Sequence, residues 1–214
     1  MVSKYTTGAR QFNWINVGMV LAMSFASITV GYSASIIATT LAQPTFLAYF
    51  DLETRPDATA LISTMNGLYY VGGFLGVFTV SWFAERWGRK AAIFVSVVIT
   101  LISGALLAGS VDVAMFIVFR FFNGAGAFMA LSAVPVWMSE VTPPKNRGSL
   151  VDIHAVGVLI GYVMASWIGY GFYFLQSPSA WRAPLGKLIH QTHLSTCKAR
   201  QADIEKHLEA SRPS

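Results

Sequence analysis

Four stretches of this chain contain no Asp, Glu, Lys or Arg: Gln11–Phe50, Ala58–Ala84, Ala91–Val111 and Ile153–Trp181. A helix of about 20 apolar residues crosses the hydrocarbon core of a bilayer. A soluble helical bundle needs a polar stripe on each surface helix, and these segments are apolar all round. The first apolar run is also far longer than the roughly 7–15 residues of a signal-peptide core. Composition agrees, with 54% hydrophobic and 12% charged residues against about a quarter charged in soluble domains. The sequence therefore predicts an all-α polytopic membrane protein with the lipid bilayer as its solvent.

Five spans are expected: about Trp14–Thr40, Thr59–Ala84, Ala91–Ser110, Val113–Met138 and Val151–Phe174, after a stub over residues 1–13. Residues 14–184 form the membrane unit, and composition turns polar over 185–214. Within that tail Lys198–Ala210 carries a weak helical pattern, with Ile204 and Leu208 on one face. Lys and Arg in short loops set orientation. Lys4, Arg10, Arg86, Arg89, Lys90, Lys145 and Arg147 fall on one side and only Arg55 on the other, a seven-to-one bias that places the N-terminus in the cytoplasm.

Other functions leave no trace. The formal charge of +5 is small and scattered, which argues against a nucleic-acid partner. The lone Cys197 excludes an intrachain disulfide and a cysteine-built metal site. No phosphate loop, nucleophile elbow or HExxH is present, so no enzyme and no cofactor is expected.

Several motifs carry a family signature. Ser81–Lys90 reads SWFAERWGRK, and Glu85, Arg86, Gly88, Arg89 and Lys90 match the G-x-x-x-[DE]-R-x-G-R-[RK] loop between spans two and three of the major facilitator superfamily. Arg120, Gly124 and Gly126 are similar to the R-x-x-x-G-x-G of its sugar porters. The run from Pro135 to Gly148 resembles P-x-Y-x-[SA]-E-x-x-P-x-x-x-R-G, with Glu140 and Arg147 in register and Trp137 replacing Tyr. Trp181-Arg182-Ala183-Pro184 is similar to the W-R-x-P before span six. The chain thus resembles sugar porters, in particular fungal sugar and polyol porters, over about Ile15–Pro184.

That resemblance implies a sugar or polyol transporter of the plasma membrane, working by alternating access between two six-helix halves. Only five spans are read here, so the expectation is an incomplete N-terminal half, a truncated form with little transport of its own. A missing second half or a full-length homologue is then the implied partner. The alternative is a non-transporting membrane remnant that binds such a partner.

Arg120 is the most informative residue. It lies eight residues inside Asp112, roughly 12 Å deep at the helical rise. It must meet a polar partner or a water-filled cavity. The resemblance implies pairing with the Asp of a G-Y-D motif in span one, but the triplet here is Gly31-Tyr32-Ser33. Ser33 sits at a similar depth and cannot shuttle a proton. Arg120 either works in transport or ties span four to Ser33 and backbone carbonyls.

Asn66 and Asn123 are buried amides able to meet hydroxyls or to hold helices together. His154 is a packing histidine or a substitute polar contact, beside Ala155, where the family carries a sugar-contacting Gln. The resemblance implies a cytoplasmic gate from Glu85, Arg86, Gly88, Arg89, Lys90, Glu140 and Arg147; the plainer reading is a solvated loop of the positive side. Gly72/Gly76 and Gly157/Gly161 have the spacing that lets helices approach closely. Tyr69, Tyr70, Trp137, Trp167, Tyr170 and Phe172 are read as interface belt, core or pathway lining.

Overall fold

The computed structural model describes residues 14–141, 147–175, 177, 180–192, 194 and 197. The side chains of 14–23, 141, 147 and 149–151 lie outside that description, as do the stub and Lys198–Ala210. The order is α1 (Trp14–Leu41), α2 (Pro44–Tyr49), α3 (Ala58–Trp87), α4 (Arg89–Ala108), α5 (Val113–Val141) and α6 (Arg147–Tyr173). Residues 182–192 add a further helical segment. Five of these helices are long and apolar enough to cross a membrane. The short α2 was absent from the sequence reading; Pro44 starts it at the first turn, where a missing N–H costs nothing.

Two helix pairs organise the bundle: α3 runs along α5 and α1 along α6, with α4 against α5. Both pairs are seated on glycine. A Cβ on Gly31 would overlap the Val158 carbonyl, and one on Gly161 the Ile28 carbonyl. Gly72 and Gly124 relate in the same way to Phe121 and Tyr69. In lipid there is no hydrophobic drive between helices, so close backbone approach supplies the dispersion contact that joins them. A single glycine also makes the corner between α3 and α4. Gly88 has φ 88° and ψ 160°, a backbone region that side chains exclude, and its N–H caps the Ala84 carbonyl.

One end of the bundle is closed by aromatic rings. Phe46 of α2 lies 4.9 Å from Phe50, 5.3 Å from Phe116 and 5.4 Å from Trp181, ring centre to ring centre. Each of the matched W-R-x-P residues docks here. Trp181 is fully buried, Arg182 donates to the Tyr49 hydroxyl and the Ser110 carbonyl, and the Pro184 carbonyl accepts from the Tyr32 hydroxyl at 2.8 Å. Packing continues past Pro184. Leu185, Leu188 and Thr192 are buried, and Leu188 meets Gly104 of α4. The start of the compositionally polar tail therefore belongs to the bundle, because its few apolar residues recur at three- and four-residue spacing.

Candidate functional site

The polar centre lies where α1, α3, α4 and α5 meet. Arg120 of α5 keeps 1% of its surface exposed, and Ser33 and Asn123 keep none. Ser33 Oγ donates to Asn123 Oδ1 at 2.9 Å. Asn123 Nδ2 reaches Ser103 Oγ of α4 at 3.4 Å. Arg120 Nη1 contacts the Ser33 carbonyl and Asn123 Oδ1, each at 3.5 Å. The guanidinium carbon Cζ of Arg120 lies over the Tyr69 ring, 3.9 Å from its centre. Arg120 Nε and the Tyr69 hydroxyl are buried without a hydrogen-bond partner, although that hydroxyl faces Ser33.

This arrangement holds a cation in a membrane helix without an acid. Arginine at mid-span costs from about 2.5 to more than 10 kcal/mol if unsatisfied. Two hydrogen bonds at the long limit and one aromatic face offset part of that, the ring contributing about 2 kcal/mol when desolvated. Every Asp and Glu among the described residues is exposed and lies near a helix end or in a connection. Arg120 reaches Ser33 through the Ser33 backbone carbonyl and not through its hydroxyl.

Tyr69 was not singled out as the guanidinium's support, and Ser103 was not singled out at all. Tyr69 sits in an aromatic pair beside Tyr70, and only tertiary packing separates them: Tyr69 is 2% exposed and Tyr70 is 64%. Trp137 is buried as well, whereas Trp167 and Tyr170 face outward. Asn66, expected to be buried, is half-exposed, and no hydrogen bond joins it to the centre. His154 of α6 is buried against α1, its Nδ1 2.6 Å from Ser27 Oγ. It joins the α1–α6 seam and not the Arg120 cluster.

The second constellation lies at the α3–α4 corner. Arg89 Nε pairs with Glu140 Oε1 at 3.1 Å, the one ion pair among the described residues. Arg86 lies 5.8 Å from the Trp82 ring centre. Glu85 and Lys90 are exposed, and the Arg147 side chain lies outside the described residues. This pair joins the Arg89 corner to the end of α5.

Five apolar helices of span length around a buried polar centre define a polytopic membrane fold. The chain belongs to the sugar porters of the major facilitator superfamily: the family model described as "Sugar (and other) transporter" matches residues 19–194. The MFS-type transporter criB of Aspergillus cristatus is 33% identical over 171 residues, 80% of this chain and 35% of that protein. The quinate permease of Neurospora terricola is 36% identical over 183 residues, 81% of this chain and 34% of that protein. Among solved structures, a D-xylose-proton symporter aligns with TM-score 0.76 at 17% identity, over 86% of this chain and 47% of that one. The inward open xylose transporter XylE from E. coli gives 0.75 at 16% identity, over 88% and 48%. The chain spans about a third of the length of the curated relatives it matches.

Proposed function

We propose that this bundle is the first-half module of a transporter for small polyhydroxylated solutes. It would work by alternating access, with Arg120, Ser33 and Asn123 at the polar centre. The observation that carries this reading is the buried guanidinium among hydroxyl and amide groups, within a family of transporters. An ionisable group held at such depth marks a pathway by default, because its cost is too high for packing alone. Sugars and polyols are the primary cargo class, and the quinate of one relative's name adds a hydroxylated ring acid to it.

Alternating access needs two bundles moving about a central site, and residues 14–192 make one. We assign the N-terminus to the cytoplasm from the bias of Lys and Arg in the connections between spans, and the protein to the plasma membrane from the family it belongs to. The Arg89–Glu140 pair then lies at the cytoplasmic rim, half in water, where an ion pair breaks and reforms at low cost. Ser33 does not titrate, so transport is not driven by protons through the Arg120 position.

Uptake in a transporter-null yeast tests this. Labelled D-xylose, D-glucose, sorbitol and quinate are offered to this chain alone and to this chain fused in frame to the second half of the Neurospora terricola permease. The bundle alone is expected to give no uptake. The fusion is expected to move at least one solute, unaffected by collapse of the pH gradient, and to lose uptake in Arg120→Ala. A membrane-resident fusion that moves none of the four refutes the reading.

A further inference from the structure

His154 is a buried titratable group that the polar centre does not use. It keeps 8% of its surface exposed. It lies two turns into α6, and its Nδ1 is 2.6 Å from Ser27 Oγ of α1. One turn further along, the same seam closes backbone against backbone. A Cβ on Gly157 would meet Ser27 Cβ at 2.9 Å and the Ser24 carbonyl oxygen at 3.0 Å. Gly161 then meets the Ile28 carbonyl, and Gly31 of α1 meets the Val158 carbonyl. A seam this tight leaves no path for water to follow a charge. Nor does a neighbouring helix bring a counter-charge to it. Helix α1 contains no Asp, Glu, Lys, Arg or His, and its Tyr32 hydroxyl is engaged by the Pro184 carbonyl. From α5, Glu140 is exposed and paired with Arg89. On α6 itself Asp152 is exposed, while Lys145 and the Arg147 side chain lie outside the described residues.

We propose that His154 makes the α1–α6 seam an acid-sensitive lock, closed while the imidazole is neutral and loosened when it takes up a proton. Imidazole is the side chain whose ordinary titration falls between pH 5 and 8. In the neutral form one hydrogen bond joins its Nδ1 to the Ser27 hydroxyl across the seam. In the protonated form both ring nitrogens are donors. Ser27 is then limited to accepting, and a full charge lies in a nearly closed interface with no carboxylate to meet it. Such a charge is relieved by opening the interface to water. The side of the membrane that the lock reads, the cytoplasm, rests on the orientation assigned above; the lock itself does not, and it is independent of which solute is carried. In neutral medium the seam stays closed, so uptake by the fusion there is untouched. The bundle supplies its own control. The α3–α5 seam is built on glycine in the same way, at Gly72 and Gly124, and neither of its helices contains a histidine.

The test is amide hydrogen–deuterium exchange, read by mass spectrometry, on the full 214-residue chain in nanodiscs. It is run at about pH 7.5 and about pH 5.5, on either side of the imidazole titration, with each rate corrected for the intrinsic pH dependence of exchange. Peptides covering residues 24–31 and 154–161 report the α1–α6 seam, and those covering 69–76 and 121–128 report the control seam. One linked proton changes an opening equilibrium by at most about 10-fold per pH unit. Protection of the α1–α6 seam is expected to fall about 5-fold or more at the lower pH, with the control seam constant within about 2-fold. His154→Asn keeps a neutral hydrogen-bonding group opposite Ser27 and should hold the seam closed at both pH values. His154→Lys carries a lasting charge and should leave it loosened at both. The double variant Ser27→Ala/His154→Leu removes both polar groups and should also lose the response, which keeps the test decisive if the Asn variant does not fold. The proposal is overturned if protection of the α1–α6 seam is the same at both pH values, if both seams loosen together, or if the response survives in either neutral variant.

Discussion

Removing the ring beneath Arg120 should expose how the buried cation is held. The guanidinium sits 3.9 Å above the Tyr69 ring centre, in a place with almost no water. A desolvated contact of this kind contributes about 2 kcal/mol. The ring carries the contact, and the phenol oxygen is directed toward Ser33. Tyr69→Phe keeps the ring under the cation and is therefore expected to cost less than Tyr69→Leu. A double-mutant cycle of Tyr69→Leu with Arg120→Met separates the ring–cation term from lost packing. The coupling should be about 2 kcal/mol, about 30-fold in the unfolding equilibrium constant. The assay is reversible unfolding by denaturing detergent in mixed micelles, followed by tryptophan fluorescence. Polar helix–helix contacts in membranes average about 0.6 kcal/mol in such cycles. A coupling no larger than that, or a Phe variant as unstable as the Leu variant, refutes the stacking argument.

Three further outcomes follow from the same geometry. Gly124→Leu and Gly161→Leu place side-chain atoms on backbone carbonyls of the facing helix and should abolish a monodisperse detergent-solubilised species, whereas Gly67→Ala, with open space around it, should leave the elution profile unchanged. Ser27→Ala leaves a buried imidazole nitrogen unpaired and should cost about 1–3 kcal/mol in the same unfolding assay; adding His154→Leu should restore most of it. Arg89→Ala should cost no more than about 1 kcal/mol, because its pair with Glu140 is substantially solvated; a larger loss would mean that the rim is a structural clamp.

Much of this protein is written in one dimension. Lipid forbids unsatisfied backbone polar groups, so a charge-free run of span length has to be a helix; four spans therefore followed from where Asp, Glu, Lys and Arg are missing, and the fifth, Val113–Met138, is interrupted only by Arg120. Gly88, Arg89 and Glu140 were legible only as motif residues; the φ of 88° and the Arg89–Glu140 pair came from the tertiary structure. That Arg120 lies two turns inside its helix was legible because the helical rise is constant. What surrounds Arg120 was not. Tyr69 and Tyr70 are indistinguishable in a row of apolar residues, and helix rotation, set by Gly72 and Gly124 against facing backbones, alone puts one under the cation and the other outside. Ser103 and Asn123 are 20 residues apart and meet only because α4 packs on α5. The same packing gathers Leu185 and Leu188 into the bundle from a segment too polar to read as membrane. Composition fixes which segments leave water, because that free energy is summed residue by residue. Which side chains meet inside depends on how rigid helices rotate against each other, and that is decided by close contacts between residues distant in sequence.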